Sequence, residues 1–121
     1  MPGRSERRIF PRVDYPCPLK FRFAGELVEL SWREGVVLNF GAGGLGFTTP
    51  QLVEEGSELA FRIYLPTRSE PYELRGRIIW SRDSADQLME YGAEFVNVTP
   101  DKQVEIDELV RFLGKGPAKS S

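Results

Sequence analysis

The feature that most constrains the fold is a series of short segments in which apolar and polar residues alternate. Alternation with a period of two residues is typical of strands that bury one face. Gly and Pro residues separate the segments, as expected for turns. The predicted strand segments cover residues 17–23, 27–30, 36–38, 45–48, 59–65, 72–80 and 88–98. Such a succession of short strands predicts an antiparallel barrel or sandwich.

The hydrophobic period changes at the C-terminal end of the chain. Apolar residues between Ile106 and Leu113 recur at the spacing i, i+3, i+4, i+7, which predicts an amphipathic helix. Thr99 is suited to cap this helix, Pro100 to its first position, and Gly114 to its end. We expect the helix to cover an open end or seam of the strands.

Composition limits the function classes. A chain of 121 residues with 40% hydrophobic and 28% charged residues is expected to form one domain. There is no His, and Cys17 is the only cysteine, so the usual metal-ligand sets and an internal disulfide are not expected. No motif for a nucleophile is present, so we predict that the protein is not an enzyme. No apolar signal or membrane-spanning segment is evident, and the predicted location is the cytoplasm without membrane insertion.

The N-terminal segment is basic, whereas the rest of the chain is acidic. Residues 1–12 contain four Arg and one Glu, and the remainder contains 12 basic and 17 acidic residues. Pro11 disfavours a helix in this segment, so we predict a flexible basic arm over residues 1–13. Its guanidinium groups, on Arg7, Arg8 and Arg12, would converge only around a bound anion. A small basic arm on an acidic body favours a compact anionic ligand over DNA or RNA.

A glycine-rich segment follows Asn39. Four of the six residues from 41 to 46 are glycines, which indicates positive φ angles or close backbone approach. A β-bulge alone would also explain Gly43, Gly44 and Gly46.

These two motifs together resemble the PilZ domain family. Its pattern is an RxxxR arm, here residues 8–12 preceded by Arg7, and a [D/N]xSxxG loop, here residues 39–44. The segments 76–80 and 91–95 and the closing helix follow in the same order. The resemblance implies a mainly β fold, a six-stranded antiparallel barrel over residues 14–113 with a C-terminal α-helix. Residues 114–121 would form a disordered tail.

The resemblance also implies a function: binding cyclic dimeric GMP (cyclic-di-GMP) and passing the signal to an unidentified downstream protein. It assigns the ligand to Arg8 and Arg12, with Arg7 assisting. Asn39 matches the first position of the loop, and Gly44 matches the final glycine. The full predicted site comprises Arg7, Arg8, Arg12, Asn39, Gly41, Gly43 and Gly44, with no metal and no cofactor besides the nucleotide.

One position departs from the family pattern. Gly41 stands where the family usually has Ser, so a hydroxyl contact is missing. One neutral hydrogen bond contributes about 0.5–1.5 kcal/mol, which corresponds to roughly 2- to 13-fold in affinity. We expect retained but weaker binding. The alternative is a PilZ-fold adaptor that has lost nucleotide binding, and a barrel that binds single-stranded nucleic acid is a more distant one.

Other conspicuous residues have simpler interpretations. Trp80, Tyr91 and Phe95 are predicted to lie in the core because they fall on regular strand phases. Three acidic residues lack the spacing of a calcium loop and are interpreted as a solvated rim: Asp83, Asp86 and Glu90.

Overall fold

The backbone forms a closed six-stranded antiparallel β-barrel followed by one α-helix. A computed structural model describes residues 12–25, 32–66 and 68–114, with only the backbone of Arg12. The elements are β1 Arg12–Phe23, β2 Arg33–Gly41, β3 Gly44–Thr49, β4 Glu58–Ile63, β5 Tyr72–Asp83, β6 Met89–Phe95 and α1 Pro100–Gly114. Around the barrel the strands run β1-β2-β3-β6-β5-β4. This confirms the fold class predicted from the sequence.

Aromatic side chains fill the barrel interior. Phe47 is fully buried, and its ring centroid lies 5.5 Å from the rings of Phe21, Phe61 and Tyr91. A barrel of this size has an interior just wide enough for side chains. The predicted core positions of Tyr91 and Phe95 are confirmed, since Tyr91 is buried and Phe95 packs against the core.

The C-terminal helix packs against β1 and β2. Its apolar stripe of Ile106, Val110 and Leu113 is buried, as the spacing predicted. The predicted cap is confirmed, because Thr99 Oγ1 accepts a hydrogen bond from the backbone N–H of Lys102 at 3.1 Å.

A tyrosine at the start of β5 links the barrel to the helix. Tyr72 donates a hydrogen bond from its hydroxyl to Glu105 Oε1 at 3.0 Å. Burial raises the pKa of Tyr72 above its ordinary value, and the hydrogen bond to Glu105 raises it further. The phenol therefore stays protonated and holds the first turns of α1 against the barrel.

The strand boundaries differ from the prediction at two places. β1 begins at Arg12 rather than in the region of Cys17, because the β1–β2 pairing continues across a register shift between Asp14 and Cys17. Prolines at positions 16 and 18 interrupt the alternation of apolar and polar residues, so that pattern does not predict this part of the strand. β5 extends to Asp83, so the predicted loop over 81–87 is shorter than expected.

Two boundaries of the barrel and helix therefore differ from the predicted range of residues 14–113. Residues 12 and 13 belong to β1 rather than to the arm, and Gly114 is the last residue of the helix rather than part of the tail. The remainder of the predicted arm, the predicted strand at 27–30 and residues 115–121 lie outside the described residues.

Candidate functional site

A row of outward-facing residues crosses four neighbouring strands of the barrel. Asn39 of β2 pairs with Gly46 of β3, Gly46 pairs with Gly92 of β6, and Gly92 pairs with Trp80 of β5. The two middle residues have no side chain, and the flanking side chains lie over them: the Asn39 amide would be 3.4 Å from a Cβ atom added at Gly46, and the Trp80 indole lies against Gly92. A groove on this face has a volume of about 410 Å³ and is lined by Asn39, Leu45, Ile79, Trp80, Arg82, Glu90, Gly92 and Ala93.

A β-bulge brings Trp80 into this groove. Ile78 pairs with Ala93, but the next pair is Trp80 with Gly92, so Ile79 is an extra residue in β5. Because of the extra residue, the side chains that follow Ile78 in β5 point to the opposite face of the sheet from the one that simple alternation would give. The prediction that Trp80 lies in the core is therefore wrong. Its side chain lies on the outer face of the barrel and is only partly buried.

The indole of Trp80 covers Gly92. A Cβ atom added at Gly92 would overlap Nε1 and Cε2 of the indole, so the ring lies directly against the backbone of β6. An aromatic side chain across a strand glycine restores packing that the glycine lacks. The guanidinium carbon of Arg82 lies 5.5 Å from the indole centroid. The side chain of Trp80 is partly buried, with Gly92 beneath the indole and Arg82 over the ring, and it lines the groove.

An ion pair lies next to Trp80 along the same strands. Arg82 pairs directly with Glu90 in the β5–β6 register. Its Nε and Nη2 donate hydrogen bonds to the two carboxylate oxygens of Glu90, each at 3.2 Å. The side chain of Arg82 is 68% exposed, whereas that of Glu90 is only 17% exposed. The interpretation of Glu90 as part of a solvated rim is therefore wrong.

Among the predicted site residues that the structure describes, Asn39 lines the groove. The backbone of Arg12 pairs with Gly41, at the end of β2 nearest the glycine segment. Arg7 and Arg8 lie outside the described residues, as does the side chain of Arg12.

The other two predicted glycines contact β6. The carbonyl of Gly43 accepts a hydrogen bond from the N–H of Phe95 at 2.9 Å. A Cβ atom at Gly44 would overlap the carbonyl oxygen of Ala93. The predicted close backbone approach is confirmed at Gly44, and the approaching backbone is that of β6. The glycine recorded with a positive φ among the described residues is Gly56, at 92°, outside the predicted loop.

Sequence reasoning did not find Arg82 and Glu90 as candidate site residues. Each lies on a strand with an ordinary polar pattern. The available signal was Gly92, an isolated glycine within a strand, which often marks a close approach or a bulge.

A second cleft lies on the opposite side of the barrel. It has a volume of about 440 Å³ and includes residues of β1, β4 and β5 together with Trp32. The guanidinium carbon of Arg62 lies 4.2 Å from the Trp32 ring centroid, and Arg62 also pairs with Glu73 at 3.1 Å. Neither Asn39 nor any predicted glycine lines this cleft. We therefore place the candidate site at the groove beside Trp80.

Within residues 12–25, 32–66 and 68–114, no helix is long and apolar enough to cross a membrane.

Solved structures with the same fold include PilZ domain proteins. The PilZ domain of YcgR from Escherichia coli, solved with c-di-GMP, is 15% identical with a TM-score of 0.72, and the match covers 94% of this chain and 95% of that one. Bacillus subtilis MotI (DgrA), an inhibitor of motility, is 16% identical with a TM-score of 0.69. That match covers 90% of this chain and 53% of MotI, so this chain spans about half of MotI.

A third structure is the PilZ domain of CeSA from a cellulose-synthesizing bacterium. It is 18% identical with a TM-score of 0.61, and the match covers 85% of this chain and 97% of that one. No curated protein matches the sequence. The family model described as PilZ domain matches residues 6–113. That range includes the arginine arm, all six strands and nearly all of the helix, and the chain therefore belongs to the PilZ domain family.

Proposed function

We propose that this protein is a receptor for cyclic-di-GMP in bacterial second-messenger signalling. The nucleotide is bound between the arginine arm and the groove beside Trp80. The complex is then recognised by a downstream protein, so the chain acts as an adaptor and performs no chemical step.

The observation that most supports this proposal is the β1–β2 register. Arg12 pairs with Gly41, and Asn39 lies two residues from Gly41 on the same strand. A two-residue step along a strand is about 7 Å. Arg12, the last residue of the arginine motif, therefore joins the barrel next to the glycine segment and the Asn39 end of the groove.

The chemistry of the groove suits a guanine dinucleotide. The ligand has two phosphates and two guanines, and Arg groups bind both phosphates and the O6/N7 edge of guanine bidentately. We assign these contacts to Arg8 and Arg12, with Arg7 assisting. The amide of Asn39 can hydrogen-bond a base edge. Trp80 offers an aromatic surface on which a base can stack, a contact worth about 1–3 kcal/mol.

Comparison with solved PilZ domains is consistent with this ligand. The PilZ domain of YcgR was solved with c-di-GMP, and it matches this barrel over nearly its whole length. At 15% identity the likeness concerns the fold, so the ligand of this chain needs a direct test.

Isothermal titration with cyclic-di-GMP is that test. We expect saturable binding in the micromolar range or tighter, and severe weakening in Arg8→Ala and in Arg12→Ala. Arg75→Ala is the matched control, because Arg75 pairs with Glu58 at 3.2 Å and does not line the groove. Absence of heat and of saturation at high micromolar ligand would refute the proposal.

The alternative function is an adaptor that no longer binds nucleotide. The replacement of the family serine by Gly41 favours this alternative, since one hydroxyl contact is lost. Gly41→Ser separates the two cases. The receptor proposal expects equal or tighter binding in this variant, whereas the alternative expects no binding in either form. A clear loss of wild-type binding in Gly41→Ser would mean that the loop is wrongly assigned.

A further inference from the structure

We infer that Glu90 makes the groove selective for guanine over adenine. The inference rests on the proposed function, because it concerns the base that stacks on Trp80. It assigns a specificity role to a residue outside both the arginine motif and the glycine loop.

The first step is the position of the carboxylate. Glu90 lines the groove together with Trp80. Along β6 it lies two residues from Gly92, the residue that the indole covers. One such step is about 7 Å. The carboxylate therefore lies beside the indole along β6, and we place the edge of a base stacked on the indole against it.

The second step is the way in which the carboxylate is fixed. Arg82 binds both oxygens of Glu90 through Nε and Nη2, at 3.2 Å each. A bidentate pair restricts the orientation of both groups. The Glu90 side chain is 17% exposed as a whole, while its two hydrogen bonds to Arg82 lie at the exposed surface of the barrel. Arg82 acts here as a positioning residue.

The third step is the hydrogen-bonding chemistry of the two purines. An ionised carboxylate only accepts hydrogen bonds. Guanine offers two adjacent donors, N1–H and the N2 amino group, on its Watson–Crick edge. Adenine has an unprotonated N1 at the corresponding position, and its lone pair would face the carboxylate. The Glu90 carboxylate thus attracts guanine and repels adenine, and specificity is gained from both contributions.

Charge alone does not decide the role of Glu90, because its bidentate pair with Arg82 offsets the carboxylate charge that would otherwise oppose a ligand with two phosphates. A purely structural cross-strand pair is the competing explanation. Arg62 and Glu73 form such a pair on the other side of the barrel, at 3.1 Å and in direct register.

The experiment compares two ligands and three proteins. Dissociation constants for cyclic-di-GMP and cyclic-di-AMP are measured by titration calorimetry at one salt concentration, for the full-length wild type, Glu90→Gln and Glu73→Gln. Glu73→Gln is the control, because it removes the same charge from a directly paired Arg–Glu couple outside the groove. The ratio of the two constants does not depend on the fraction of folded protein.

We expect the wild type to prefer cyclic-di-GMP by at least 100-fold. Glu90→Gln should reduce that ratio at least 10-fold, through weaker binding of the guanine ligand and equal or tighter binding of the adenine ligand. Glu73→Gln should leave the ratio unchanged.

Two failures are distinguishable. If the wild type binds cyclic-di-GMP and Glu90→Gln keeps the wild-type ratio, the specificity role of Glu90 is refuted and the receptor function stands. If the wild type binds neither nucleotide, the receptor function is refuted and the inference is refuted with it.

Discussion

Two glycines of the glycine-rich segment 41–46, Gly44 and Gly46, should respond differently to the same substitution. A Cβ atom at Gly44 would overlap the carbonyl oxygen of Ala93 and would lie 3.1 Å from the Cα of Glu94. These are backbone atoms of β6, which cannot rotate away. A Cβ atom at Gly46 would instead lie 3.4 Å from the side-chain amide atoms of Asn39. That amide can adjust.

The expected effect of Gly44→Ala is a loss of stability. Relief of the overlap requires β6 to move away from β3, which strains the ladder hydrogen bonds at the Gly44–Glu94 pair. Overpacking of this kind costs about 1–3 kcal/mol, and the reduced entropy of the unfolded chain offsets about 0.4–1 kcal/mol of that. We therefore expect a net loss of about 1–2 kcal/mol, or a Tm lower by about 5–10 °C. For Gly46→Ala we expect a change within about 0.5 kcal/mol.

Urea denaturation followed by intrinsic fluorescence measures both variants. The midpoint should fall in Gly44→Ala without a change in the m-value, because the surface exposed on unfolding is the same. Gly46→Ala is the matched control. If Gly44→Ala is as stable as the wild type, or if both variants lose the same stability, the close approach of β3 and β6 is not the reason for a glycine at position 44.

Further predictions concern capping, a turn, a buried hydrogen bond and a thiol. Thr99→Ala should cost about 1 kcal/mol in urea denaturation, because the helix loses its cap; Thr99→Ser should retain most of that stability. Gln87→Gly should raise stability by up to about 1 kcal/mol, because it relieves about 1–2 kcal/mol of strain at a φ of 64° while the greater entropy of the unfolded chain offsets about 0.4–1 kcal/mol; a lower Tm would contradict this. Tyr91→Phe should cost about 1–3 kcal/mol, since it leaves the buried N–H of Val53 without its 2.7 Å acceptor. Burial raises the pKa of the Cys17 thiol from 9.0 to about 11. The unfolded thiol thus loses its proton first, and stability should fall as pH rises from 9 to 11. The native thiol should also react with an aromatic disulfide reagent at pH 8 far more slowly than in urea, and equal rates would contradict its burial.

The strands and the helix were largely predictable because each depends on a local period. The alternation over 59–65 corresponds to β4, and the spacing from Ile106 to Leu113 corresponds to the buried face of α1. The bulge in β5 was not predictable from the period. Ile78, Ile79 and Trp80 are all apolar, so inserting one residue leaves no visible break in the pattern. Only the pairing with β6 reveals it.

The candidate site was predictable in part. Asn39 and the glycines were found because a motif contains them, and a motif is a local property of the sequence. Arg82 and Glu90 come together only through the β5–β6 register, and Trp80 faces the same groove only because of the bulge in that register. Such a juxtaposition depends on strand order, which a single sequence does not specify.

The filled interior is consistent with a candidate site on the outside of the barrel. Phe21, Phe47, Phe61 and Tyr91 occupy the centre and leave no room there for the proposed dinucleotide ligand. The outside of a small barrel is convex and offers a ligand little enclosure. The two paired glycines of β3 and β6 let the Asn39 amide and the Trp80 indole lie close to the sheet, and the bulge at Ile79 is what turns the indole outward. The groove reaches Asn39 of β2, the strand that pairs with β1 at Arg12, so under the proposed function the arginine motif would contact the ligand from that side.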